Sequence, residues 1–66
     1  MNMIPVQSSN VSFIGYENGL IYVQFHSGAV YQYRASEELF RQFLAAPSKG
    51  RFVHQYLTPL PYDRIR

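Results

Sequence analysis

The chain has 66 residues, a net charge of +2 and 47% apolar residues, enough for one small domain and no more. It contains no cysteine, which excludes a disulfide framework and a thiolate metal site. No apolar run reaches the roughly 20 residues of a membrane span, and the N-terminus lacks a basic region followed by an apolar one. A reduced, intracellular, cytoplasmic protein without a membrane partner is the expectation.

In chain order, residues 1–8 read as a flexible lead-in or, through Ile4 and Val6, a short edge strand. Residues 9–57 read as the domain proper and residues 58–66 as a Pro-rich extended tail. "VSFIGYE" (11–17) is rich in β-branched and aromatic residues and predicts a strand. Asn18-Gly19 is a two-residue hairpin turn, because both positions tolerate positive φ. "LIYVQFH" (20–26) is the second strand, Ser27-Gly28 marks another turn, and "AVYQYR" (29–34) is the third strand. Ser36 is a helix N-cap, with Glu37 and Glu38 in the first turn where the helix dipole favours anions. Leu39, Phe40, Phe43 and Leu44 form one apolar stripe, and Pro47 ends the helix. Ser48 caps again, and Phe52, Val53, Tyr56 and Leu57 repeat the stripe over a second helix spanning about 49–57. The expected fold is α+β: a three-stranded antiparallel β-meander packed on one face by two short C-terminal α-helices.

Register decides which side chains face those helices, because a one-residue slip turns a whole strand over. The Asn18-Gly19 turn sets Ile14 against Val23, Tyr16 against Ile21 and Ser12 against Phe25. At the second hairpin, a two-residue loop would turn Tyr31 and Tyr33 outward as a platform with Tyr22. A three-residue loop with Gly28 in the left-handed position of a G1 bulge turns them inward. The outward choice would bury Gln32 and Arg34, which is costly without partners, so the inward register is expected. The predicted core is then Val23, Phe25, Tyr31, Tyr33, Phe40, Phe43 and Phe52. Phe13 and Tyr22 remain on the opposite face as an exposed aromatic patch suited to a partner.

Charge is uneven along the chain: residues 34–66 hold all six Lys/Arg and three of the four acids. "SKGR" (48–51) places Lys49 and Arg51 at a helix start, where the dipole favours anions, not cations. A bound phosphate accounts for that inversion, with Gly50 allowing close approach and Ser48, His54 and Arg34 extending the patch. The bland alternatives are a solvated turn or pairing with Glu37 or Glu38. The two histidines, His26 and His54, lie in different elements with no acidic cluster nearby, so no metal site, cofactor site or catalytic constellation is read here.

"SSNV…IGY", "FHSGAVYQY" and "FLAAPSKGRFVHQYL" together resemble the KTSC domain, a domain found at the C-terminus of some lysyl-tRNA synthetases and as small stand-alone bacterial and phage proteins. The features in common are Tyr31 and Tyr33 in a Y-x-Y, Phe25, Ser27 and Gly28 in the turn before it, and Ser48 to Phe52 in S-K-G-R-F. The resemblance implies the fold and, through the synthetase context, RNA binding. It does not extend to "TPLPYDRIR", so it gives no role for Arg64 or Arg66. The functional expectation is a small non-catalytic binding module for RNA or other nucleic acid. The alternative is a protein-interaction or self-association module working through the exposed face of the sheet.

Overall fold

A computed structural model describes residues 2–66. Its single antiparallel sheet has five strands in sequence order: β1 (Ile4–Pro5), β2 (Val11–Glu17), β3 (Leu20–Phe25), β4 (Val30–Arg34) and β5 (Tyr62–Arg64). Helix α1 (Glu37–Ala45) and a second helix, α2 (Lys49–Phe52), follow β4. The second helix continues as a wide π-helical segment, Val53–Leu57. The α+β class, the meander and the two helices are as predicted, but the sheet is wider than three strands.

Both hairpins fold in the registers their turns dictate. Asn18 (φ 52°) and Gly19 (φ 77°) take the left-handed conformations of a two-residue turn, and Ile14 faces Val23. Gly28 (φ 98°) closes the three-residue loop, its N–H bonding the Phe25 carbonyl at 2.9 Å. Val23 therefore faces Tyr31 and Ile21 faces Tyr33, both on the helix side. One detail differs. A bulge between Val11 and Phe13 puts Val11, not Ser12, opposite Phe25. The extra residue swings Val11 into the core, fully buried, while the Ser12 hydroxyl donates to the Gln24 carbonyl.

The fifth strand comes from the tail. Pro59 and Pro61 stop helix formation, as expected, but the chain beyond them alternates and pairs with the free edge of β4. Arg34 and Val30 donate backbone hydrogen bonds to the main-chain oxygens of Pro61 and Arg66, and Ile65 donates to Val30. The tail thus lies beside the sheet. No helix of the described residues lies on the outer face, where Phe13 is exposed and Tyr22 half-buried.

Helices and sheet share one core. Ile14, Ile21, Val23, Phe43 and Leu57 are fully buried, with Tyr33, Phe40, Phe52 and Val53 close behind. Ser36 caps α1 by accepting from the Leu39 N–H. Phe43 stacks on Phe52 at 4.9 Å, joining the two helices, and Tyr16 stacks on Phe40 at 5.6 Å. Two stripe residues fall outside the core: Leu44 and Tyr56 are exposed, and the Tyr56 ring tilts over Phe52 from the rim. No helix among the described residues is long and apolar enough to cross a membrane.

Candidate functional site

The helices do not cover the inner face of the sheet completely. A cleft of about 690 Å³ opens between the start of β2, the β3–β4 turn, the second helix and β5. Its size falls within the range of ligand sites. Small residues make the space: Ser9, Ser27, Ala29 and Gly50 line walls where larger side chains would fill it.

Tyr31 lies on that lining, half-buried. Phe25 meets its ring edge-on at 5.7 Å, Tyr33 stacks alongside at 6.3 Å and Tyr62 leans in at 5.8 Å. These contacts hold the ring in place at no further entropic cost to a ligand. The Arg64 guanidinium lies over the Tyr31 ring, 6.0 Å from its centroid. Its Nε donates to the main-chain oxygen of Arg66 at 3.1 Å. His54 lines the helix side, and Asn10 the opposite lip. His26 Nε2 hydrogen-bonds the Ser8 carbonyl at 2.8 Å and fixes that lip to the hairpin. Among the described lining residues there is no acidic side chain, and Arg64 is the one permanent cation.

Tyr33 is nearly buried, and burial, then the neighbouring Tyr31 and Tyr62 phenols, raises its pKa above the ordinary 10.0. A raised tyrosine pKa favours the neutral phenol in the folded state. The stability this protects is fully present at neutral pH and is lost as pH climbs through the raised value.

The residues singled out at the second helix have separate tasks. The Ser48 hydroxyl accepts from the Arg51 N–H and caps the helix. The Lys49 ammonium turns back to α1, donating to the carbonyls of Ala46 at 2.6 Å and Leu44 at 3.1 Å. That explains a cation at an unfavourable helix start: it serves the negative end of the preceding helix. Lys49→Met is expected to cost about 0.5–1 kcal/mol by chemical denaturation, with no change in ligand affinity. A Cβ on Gly50 would lie 3.3 Å from Asn10 Nδ2, so this glycine lets the second helix abut the start of β2. Ser48, Lys49, Gly50 and Arg51 together line a smaller hollow of about 190 Å³, which shares Ser9, Asn10 and Gly50 as walls with the cleft. Arg34 lies elsewhere, in a hollow with Leu20, Gln32 and Asp63. Of the predicted group, Gly50 and His54 reach the cleft; Lys49 and Arg34 do not join them there.

Sequence reasoning missed Asn10 and Arg64. The alternation in "YDRIR" was the available signal for Arg64, since it puts Tyr62 and Arg64 on one face of a strand.

Comparison with known proteins agrees with this architecture. The profile of the KTSC domain matches residues 7–60, most of the chain, which therefore belongs to the KTSC domain family. An uncharacterized protein of Stutzerimonas stutzeri is 37% identical over 65 residues, covering 94% of this chain and 92% of that one. A protein of Tsukamurella paurometabola is 38% identical over 60 residues, covering 86% and 90%. The crystal structure of a KTSC domain protein from Yersinia pestis superposes with a TM-score of 0.92 at 32% identity, covering 98% of this chain and 97% of that one.

Proposed function

We propose that the protein is a non-catalytic module that binds single-stranded RNA, and that the cleft beside Tyr31 is its contact site. The observation that carries this reading is the composition of the cleft: an aromatic ring held at its wall, an arginine over that ring, two histidines, and no carboxylate among the described lining residues. Unpaired bases stack on aromatic and guanidinium planes, and phosphates seek cations in a site free of acids. His26 is occupied with the Ser8 carbonyl and His54 has no acidic partner among the lining residues, so the arrangement supports binding better than proton transfer.

The test is fluorescence anisotropy of a labelled RNA octamer at several salt concentrations. With one or two cations at the contact, log K is expected to fall with log salt at a slope of about −0.7 to −1.4. Arg64→Ala is expected to weaken binding about tenfold at low salt. Salt-independent binding, or none, contradicts the reading.

A second reading rests on the outer face. Phe13 is 37% exposed there with Tyr22 beside it in the sheet, and no described helix covers them. Such a face supports self-association or a protein partner.

A further inference from the structure

The cleft contains one permanent cation, and the positions of the other five Lys/Arg bear on how much of a nucleic acid it can hold. Lys49 is bonded to the α1 carbonyls. Arg41 pairs with Glu37 on the surface of α1. Arg34 lines a hollow with Gln32 and Asp63, and Arg51 lines the smaller hollow that adjoins the cleft. Arg66 follows β5 and gives its main-chain oxygen to Arg64. A groove that tracks a polynucleotide needs cations at successive phosphates. This one has a single permanent cation, placed beside Tyr31.

We infer that the cleft takes one nucleotide unit that ends in a phosphate monoester, with the base against Tyr31 and the phosphate held by Arg64 and His54. A monoester suits the place better than an internal diester. It carries −1.5 to −2 charges and three acceptor oxygens at one point, which a guanidinium fork can take in pairs. An internal diester carries one charge and needs the chain to leave in both directions. To reach the phosphate, Arg64 gives up one exposed hydrogen bond, from Nε to the main-chain oxygen of Arg66, and its position over the Tyr31 ring. The base takes the position it leaves. The Asn10 side-chain amide on the lip offers both a donor and an acceptor to a base edge.

The inference rests on the RNA reading only for the source of the nucleotide, since a free nucleoside monophosphate presents the same chemistry. The experiment separates the two. The full chain is titrated by calorimetry with adenosine and adenosine 5′-monophosphate. It is then titrated with RNA hexamers phosphorylated at the 5′ end, at the 3′ end, or at neither. The monophosphate is expected to bind at least tenfold more tightly than adenosine. One of the phosphorylated hexamers is expected to exceed the unphosphorylated one by the same margin. Arg64→Gln, on an exposed edge strand, is expected to erase that margin while the melting temperature stays put. Tyr31→Phe, which keeps the ring, is expected to retain it. Hexamers that bind equally well with and without a terminal phosphate overturn the inference and leave RNA binding standing. Preference for the monophosphate over adenosine with no hexamer binding upholds the inference for a free nucleotide and removes RNA as the source. No binding by any of the five overturns both.

Discussion

Phe43→Ala is expected to remove most of the stability of the fold. The Phe43 ring is fully buried and stacks on Phe52 at 4.9 Å. It thereby ties α1 to the second helix, and it belongs to the cluster containing Ile14, Ile21, Val23 and Leu57, all fully buried. Truncating such a ring costs about 3–5 kcal/mol, part lost transfer energy and part cavity. A domain of this length has on the order of 3–10 kcal/mol in total, at 0.05–0.15 kcal/mol per residue. The chain has no disulfide to offset the loss. Urea unfolding followed by circular dichroism is expected to show a variant that is largely unfolded, or one with its midpoint shifted close to zero denaturant. A loss below about 1.5 kcal/mol would mean that Phe43 is not the junction between helices and sheet.

The second large effect is expected from a truncation that ends the chain at Pro61. It removes β5, and with it the Tyr62 ring from the Tyr31–Tyr33 pair and the Ile65 and Arg66 bonds to Val30. Each aromatic contact is worth about 0.5–1.5 kcal/mol and each edge hydrogen bond about 1, offset in part by the freedom the tail regains. The net loss is about 1–3 kcal/mol, which for a domain of this size is a melting temperature lower by about 4–24 °C. The truncation also leaves the whole length of β4 as an unpaired edge, a template for pairing with a second chain. Light scattering is expected to show a larger mean assembly than the full chain forms at the same concentration. An unchanged melting temperature with an unchanged mass would contradict the five-stranded sheet.

How much of this was legible in the sequence depended on whether a feature had a local chemical cause. Turn chemistry is local: Asn18-Gly19 and Gly28 each need a left-handed backbone, and that need fixes both hairpin registers and turns Tyr33 inward. The awkward alternative fate of Gln32 and Arg34 pointed the same way. The bulge at Ser12 left no mark, because an extra residue inside a strand needs no special residue type. The β5 strand was hidden by Pro59 and Pro61, which announce the end of a helix and carry no signal for a strand after it. Its three residues pair only because β4 offers a free edge, a tertiary circumstance.

The basic helix start was visible, but its partner was not. Lys49 reads as a cation in the wrong place until the chain turns at Pro47 and brings the α1 carbonyls within its reach. The cleft was less legible still. Its lining brings together the small residues Ser9, Ala29 and Gly50, which are far apart in sequence. Size complementarity across elements has no signature along a single chain. Tyr31 itself, read as core, is half core and half wall.

Binding at the cleft, on the helix side of the sheet, is tested most directly by amide chemical-shift mapping of the isotope-labelled chain, titrated with a short single-stranded RNA. The largest shifts are expected at Asn10, Tyr31, His54 and Arg64, around one opening. Shifts confined to Phe13, Tyr22 and Arg34 on the outer face, or to Ser48, Lys49 and Arg51 with the cleft unmoved, would contradict it.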